Sequence, residues 1–218
     1  MIVVVGLPAY ADSPDGEKCA GGLAVEVASA AQRRGSGVEL VGKVGNDGAG
    51  DAVVVALGRL GVGHAALLRD PLLPTPVLAA VAIDEDAPEL DADAPEGRLL
   101  PVDAAARPAL DAGDIDLALK FLPQARVIVL AGPLPEAAVT AAVEGAAFAG
   151  ARLVVLVPAG AVPPAVPAEA TVLEAPSDDD GSFGRLVGIF AGALNSGVDP
   201  AAAFSEAVST AGWEPATD

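Results

Sequence analysis

The chain has 218 residues, a length typical of one large domain, and 52% of them are hydrophobic. Its 30 acidic and 12 basic residues give a formal net charge of −18, which repels nucleic acid and anionic membrane surfaces. A single cysteine excludes an internal disulfide, and no apolar run of membrane-spanning length escapes interruption by glycine, proline or charge. We therefore expect one cytoplasmic domain over residues 1–218, without a nucleic-acid or membrane partner.

The first half of the chain alternates strands with helices. Residues 2–5 form a continuous β-branched run that is typical of a strand buried on both faces of a parallel sheet. Residues 22–34 carry apolar side chains at helical spacing, and Gly35 follows as a helix-ending glycine. The same reasoning predicts a second strand, a second helix and a third strand over residues 38–41, 48–60 and 77–83.

The second half repeats this alternation. A short helix ends over residues 117–122, with Gly113-Asp114 as its expected N-terminal cap, and Asp199 is the expected N-cap of the last helix. Further strands and helices are predicted over residues 127–130, 135–149, 153–157, 184–194 and 200–210. Alternating strands and helices indicate a doubly wound, mostly parallel α/β sheet flanked by helices.

Few side chains fit a familiar catalytic or metal site. His64 is the only histidine and follows a helix end, where a turn residue is expected, and no base accompanies Cys19 in the sequence. The cysteine and histidine content gives no zinc spacing. The acidic loop, which we define as Ser177-Asp178-Asp179-Asp180-Gly181-Ser182, has carboxylates that suit Ca²⁺ or Mg²⁺ but that rarely converge on an irregular loop.

Glycine placement carries a more specific signal. Gly21-Gly22 opens the first helix, where paired glycines let backbone N–H groups approach a ligand, although tight packing explains them equally well. The block Gly21 to Val62 resembles the first signature of the ribokinase-like (PfkB) family of carbohydrate and nucleoside kinases. Similar segments follow in the family's order at residues 74–84, 125–135, 150–158 and 182–212.

The resemblance implies a ribokinase-like fold, a sugar or nucleoside pocket and a β-lid over it. Its substrate positions fall at Asp12, Gly21, Gly22 and Glu26, where Glu26 replaces the family's asparagine and Asp12 lies one place beyond the usual aspartate. The interval from Asp12 to Gly21 is short, so we expect a reduced or missing β-lid. The stretch between Val157 and Asp178 is too short for the family's usual adenine-binding strands.

The second family signature is the most altered. In the family, glycines before a helix leave N–H groups free for phosphate, and an aspartate serves as general base. Aligned on Ser182-Phe183, this chain has Gly181 at the base position and Asp178-Asp179-Asp180 in the anion hole. These aspartates also suit a role as caps of the following helix, because carboxylates at a helix N-terminus are favoured by its dipole.

Two functions follow from the resemblance. The first is a shortened, degenerate kinase homologue without ATP-dependent phosphoryl transfer, and thus without a cofactor, that binds a sugar or nucleoside, or a protein partner including a second copy of itself. The alternative is an active ATP- and Mg²⁺-dependent sugar or nucleoside kinase in which Asp180 acts as the base. On the first reading no residue matches the catalytic base.

Overall fold

The computed structural model describes residues 1–12, 18–80, 99–101, 107–176 and 181–212. Its main sheet contains six parallel strands in the order β10-β9-β8-β1-β4-β5. They are β1 (Ile2–Val5), β4 (Val38–Gly45), β5 (Leu67–Asp70), β8 (Val127–Ala131), β9 (Arg152–Pro158) and β10 (Thr171–Ala175). The predicted doubly wound α/β fold is therefore confirmed.

The central strands are apolar on both faces because helices cover both sides of the sheet. Ile2 and Val4 belong to one core, with side chains from α1, α2, α5 and α6, whereas Val3 and Val5 belong to the other, with α3 and α4. These helices are α1 (Leu23–Arg33), α2 (Gly48–Arg59), α3 (Ala112–Phe121), α4 (Glu136–Ala149), α5 (Ser182–Asn195) and α6 (Pro200–Ala211). In the part of the chain that the structure covers, none of them has the length and apolarity needed to cross a membrane.

A second, smaller sheet has four strands in the order β3-β2-β6-β7. They are β2 (Ala9–Asp12), β3 (Lys18–Gly21), β6 (Val77–Ala80) and β7 (Leu99–Pro101), each three or four residues long. We call this the lid sheet. A missing lid is therefore ruled out, because the interval from Asp12 to Gly21 contributes to a β2–β3 hairpin in this sheet, and a reduced lid stays a prediction. The predicted strand over residues 77–83 is described only as far as Ala80.

One local prediction was wrong. The helix that ends near Leu122 is capped by Asp111, not by Gly113-Asp114, because Asp111 and Asp114 form a reciprocal capping box. Asp111 Oδ1 accepts from Asp114 N at 2.8 Å, and Asp114 Oδ2 accepts from Asp111 N at 3.1 Å. The stretch between Val157 and Asp178 contributes one strand, β10, which pairs in parallel with β9, and its shortness for adenine-binding strands stays a prediction.

Helices α1 and α5 pack closely because α5 presents glycines to α1. A Cβ atom at Gly188 would lie 2.5 Å from Ala30 Cβ and 2.6 Å from Val27 O. Both distances are shorter than van der Waals contact, so a side chain at this position would force α1 to shift. A Cβ atom at Gly192 would instead lie 3.6 Å from its nearest neighbour, an ordinary contact. The two glycines therefore differ in what an added methyl group would meet.

We expect Gly188→Ala to destabilise the fold and Gly192→Ala to leave it unchanged or more stable. Overpacking costs about 1–3 kcal/mol, and the better helix propensity of alanine returns up to about 1 kcal/mol in both variants. Urea unfolding should therefore show a net loss of about 1–2 kcal/mol for Gly188→Ala alone. Equal stability of the two variants would mean that α1 and α5 are not in this close contact.

Candidate functional site

The carboxyl ends of β1 and β8 form the edge at which a ligand site is expected. Strands β4 and β5 follow β1 on one side of the main sheet, and β8, β9 and β10 then follow on the other side of β1. The strand order therefore reverses between β1 and β8. Such a reversal opens a crevice, and doubly wound sheets bind ligands there. Two helix N-termini, those of α1 and α5, lie side by side near this edge, because α1 packs along α5.

Both of these helices are preceded by a glycine in a conformation that other residues avoid. Gly22, the N-cap of α1, has a φ of 94°, and Gly181, the N-cap of α5, has a φ of 89°. A side chain at either position would strain the backbone. The backbone conformation thus explains why glycine occupies positions 22 and 181, independently of any ligand.

The four predicted substrate positions are not all brought together. Gly21 ends β3 opposite Ala9 and leads directly to Gly22 and α1. Asp12 ends β2 opposite Lys18, three residues beyond Ala9, which places its backbone roughly 10 Å along the strand from the start of α1. Asp12 is therefore a lid-sheet residue, at the end of its hairpin away from the α1 N-terminus.

Glu26, in the first turn of α1, lies against the first turn of α5. A Cβ atom at Gly181 would be 3.7 Å from Glu26 Cδ, and one at Gly184 would be 2.7 Å from Glu26 Oε2 and 2.6 Å from Glu26 Cβ. Gly184 therefore leaves the space that the Glu26 side chain occupies. A glycine in the first turn of α5 is the feature of the sequence that could have indicated the contact between Glu26 and α5. The sequence analysis instead predicted that Glu26 contacts a substrate.

The position of Glu26 sets the electrostatics at the α5 N-terminus. A carboxylate there interacts favourably with the helix dipole, typically by 0.3–1 kcal/mol and by up to about 2 kcal/mol when partly buried. It would also repel a phosphate group about 4 Å away by on the order of 1–4 kcal/mol, depending on the local dielectric. The acidic side chain thus makes this helix N-terminus a poor receptor for a second anion.

Residues 177–180 of the acidic loop lie outside the described residues. The candidate base Asp180, the expected caps of α5 and the candidate Mg²⁺ ligands Asp178 and Asp179 are all in that segment. Among the residues that the structure does describe, no three His, Cys, Asp or Glu side chains are grouped to hold a metal ion.

The glycine-rich turn between β4 and α2 is organised around Asp47. Its Oδ1 accepts from Gly50 N at 2.8 Å and from the Thr75 hydroxyl at 2.6 Å, and its Oδ2 accepts from Thr75 N at 2.8 Å. The Thr75 hydroxyl in turn accepts from Gly45 N at 2.9 Å. The network joins the β4–α2 turn to the segment that enters strand β6 of the lid sheet.

Asp47 is held ionised by this network. Burial acts to raise the pKa of Asp47, but the hydrogen bonds from Thr75 and Gly50, with the charge of Arg69, outweigh it and lower the pKa below its ordinary value. Gly45 allows Thr75 to approach the turn this closely, since a Cβ atom at Gly45 would lie 2.5 Å from Thr75 N. The block Gly21 to Val62, on which the sequence resemblance rests, contains this turn, but the sequence analysis did not identify Asp47 as its centre.

The cysteine and the histidine both have local structural roles. Cys19 lies in β3, and its thiol donates to Ala11 O at 3.2 Å. His64 is half-buried in the turn before β5, with Nδ1 3.2 Å from Val62 O. Its predicted placement in a turn is confirmed.

No protein-family model matches the chain, and no curated protein matches it significantly. Solved structures do match. Ribokinase II from E. coli, as that protein is described, in complex with ATP and Mg²⁺ is 14% identical, with a TM-score of 0.67 over 96% of this chain and 91% of the other. Ribokinase from Arabidopsis thaliana, complexed with ribose and ATP, is 15% identical, with a TM-score of 0.64 over 96% and 90%.

A fructokinase from Xylella fastidiosa with bound ATP is 17% identical, with a TM-score of 0.54 over 95% of this chain and 65% of the other. The six-stranded parallel sheet and its flanking helices therefore define an α/β fold that these solved kinase structures share. This fold is ribokinase-like, which confirms the predicted architecture. At these identities the likeness concerns the fold alone.

Proposed function

We propose that this protein is a ribokinase-like homologue that binds a small molecule without transferring phosphate from ATP. The observation that carries the proposal is the Glu26 carboxylate against the first turn of α5. In proteins that the sequence resembles, the corresponding helix N-terminus receives phosphate. Phosphoryl transfer requires stabilisation of developing negative charge, and a carboxylate at this place does the opposite.

The residue before α5 supports the same proposal. Gly181 stands at the position of the general base in the alignment and has no side chain to accept a proton. Its φ of 89° also disfavours an aspartate in the same backbone conformation. The α5 N-terminus therefore lacks the base and carries an opposing charge.

For the retained ligand, a sugar or a nucleoside is the class suggested by the resemblance, and the Arabidopsis ribokinase holds ribose. Gly21, Gly22 and Glu26 are the positions that we propose to contact it, with Asp12 reaching it only from the lid sheet. A protein partner or a second copy remains the other proposed ligand.

Calorimetric titration with ATP-Mg²⁺, ADP and inorganic phosphate tests the proposal. We expect the wild-type protein to form no ADP in the presence of ribose or adenosine, and to bind phosphate and the nucleotides only weakly, with a Kd above about 1 mM. We expect Glu26→Gln to raise the affinity for phosphate about fivefold or more, because it removes a repulsion of at least about 1 kcal/mol. Glu136→Gln, which removes the same charge from the first turn of α4, is the matched control.

Two results would contradict the proposal. The first is tight ATP-Mg²⁺ binding with ADP formation that disappears in Asp180→Asn, which would establish the active kinase. The second is phosphate affinity that is the same in Glu26→Gln and Glu136→Gln, which would mean that Glu26 does not act on the α5 N-terminus. Light scattering at working concentration separately decides whether the chain self-associates.

A further inference from the structure

A cavity of about 630 Å³ opens at the carboxyl ends of β1 and β8, the point at which the strand order of the main sheet reverses. Its volume falls in the range of small-molecule sites. It contains none of the four positions discussed above for a sugar. Its described lining consists of Gly6, Leu7, Leu23, Ala24, Arg107, Pro108, Ala109, Leu110, Ala131, Gly132, Pro133, Leu134 and Pro135.

The walls of this cavity are apolar. Apart from Arg107, every lining side chain is aliphatic, is proline or is absent, so the described wall offers no side-chain hydroxyl, amide or carboxylate. A sugar bound here would find side-chain partners for its hydroxyl groups only at Arg107, and each hydroxyl left without a partner carries a desolvation penalty. The walls instead suit an apolar body, which gains free energy in proportion to the area removed from water.

The described lining of the cavity has one charged side chain, Arg107, and its charge is opposite in sign to the net charge of the protein. Arg107 lines the cavity, is exposed, and forms no ion pair with any carboxylate that the structure describes. The first turn of α1 and the segment entering α4 also line it, and neither helix has a side-chain cap. Glu136, in the first turn of α4, is exposed, and its negative charge offsets the attraction of that helix N-terminus for an anion. Arg107 is therefore the described lining group that attracts an anion.

We propose that this cavity binds a small carboxylate with an apolar body, with the carboxylate at Arg107 and the body against the leucine and proline walls. A cation that has no ion-pair partner among the described residues, set in an otherwise apolar described lining, favours a ligand that is both anionic and apolar. Arginine favours such a partner because its planar guanidinium pairs with both oxygens of a carboxylate. The site goes beyond the proposed function and does not depend on whether ATP is used.

Titration of the full-length protein with octanoate tests this proposal. Three probes dissect the ligand: octanamide keeps the chain without the charge, acetate keeps the charge without the chain, and ribose represents a polyol. We expect octanoate to bind with a Kd below about 1 mM, and each of the other three to bind at least about tenfold more weakly. Because phosphate and ATP are absent, failure here would not bear on the loss of phosphoryl transfer.

Variants locate the site. Arg107→Gln should weaken octanoate binding about tenfold and leave octanamide unchanged, whereas Arg126→Gln, which removes the same charge at the opposite edge of the sheet, should have no effect. Ala109→Phe should block octanoate and octanamide together, because Ala109 lines the cavity yet is exposed enough to accept a larger side chain without disturbing the core.

Three outcomes would overturn the proposal. They are no octanoate binding at about 1 mM, equal binding of octanoate and octanamide, and equal octanoate affinity in Arg107→Gln and the wild type. Ribose binding that Ala109→Phe abolishes would assign the cavity to a polyol and would overturn the proposal as well. Circular dichroism of each variant, compared with the wild type, confirms that the fold is retained.

Discussion

Phe190→Ala is expected to lower the free energy of unfolding by about 3–5 kcal/mol, the cost of truncating a fully buried phenylalanine. Phe190 is 1% exposed in α5 and meets Phe204 of α6 edge to face, with ring centroids 6.0 Å apart. The core around it consists largely of alanine and valine, whose short side chains cannot fill the space that the ring leaves. A globular domain is stable by only about 5–15 kcal/mol, so this one change removes a large share.

Phe148→Ala is the matched control, since Phe148 is 87% exposed at the end of α4. Its loss should change stability by less than about 0.5 kcal/mol. Urea unfolding of both variants provides the comparison, and the double variant with Phe204→Ala should reveal a coupling of about 0.5–1.5 kcal/mol between the rings. A loss below about 1 kcal/mol for Phe190→Ala would mean that α5 and α6 do not enclose this side chain.

The main sheet could be predicted because its signals are local. Strands β1, β8 and β9 are continuous apolar runs, and such runs indicate burial on both faces without any knowledge of neighbouring strands. Five of the six described helices end at or near a glycine, and α3, which ends at Phe121, is the exception. The predicted cap of α3 was wrong because Asp111 and Asp114 both have side chains that can cap a helix, and the sequence alone does not show which of them is the N-cap.

Strand β6 of the lid sheet was predicted from the sequence, but the other strands of that sheet and β10 could not be predicted in the same way. Strands of three to five residues, such as β2, β7 and β10, are too short to show a period. Their extended conformation is stabilised by partners distant in sequence: β2 pairs in parallel with β6, and β10 with β9. Pairing of this kind is a property of the whole fold.

The site depended on the same kind of long-range information. The sequence identified Glu26 and Gly181 as two separate departures from a family pattern, each at its own signature. The structure places them in contact, because α1 and α5 are adjacent and Gly184 leaves space between them. The two positions, which the resemblance marks as separate departures, therefore lie close together: the Glu26 side chain lies at the N-terminus of α5, next to Gly181.

Asp47→Ala should lower the free energy of unfolding by about 2–4 kcal/mol at neutral pH. The change removes an N-cap, typically worth 0.5–2 kcal/mol, and leaves the Thr75 N–H and hydroxyl without their charged partner at a site where Thr75 is 3% exposed. Asp51→Ala, in the first turn of the same helix, is the control. Asp51 is 76% exposed in its ion pair with Arg69, and such pairs contribute 0–1 kcal/mol.

The contribution of Asp47 should also depend on pH in a defined direction. The pKa of Asp47 is lowered in the folded protein, so its stabilisation is complete above the unfolded pKa of about 4 and is lost as the pH falls through the folded value. The pKa of Asp70 is lowered as well, by hydrogen bonds from Leu72 and Leu73, so acid sensitivity of the wild type alone would not identify Asp47.

The informative quantity is the stability difference between the wild type and Asp47→Ala, measured by urea unfolding from pH 7 down to the most acid pH at which both fold. We expect a constant difference above about pH 5 that narrows below about pH 4, whereas the difference for Asp51→Ala stays small throughout. A Thr75→Val variant removes the hydroxyl and keeps the shape, so it should reproduce part of the loss and couple to Asp47→Ala. A difference that widens as the pH falls would show that the network stabilises the protonated carboxyl, contrary to its hydrogen-bond geometry.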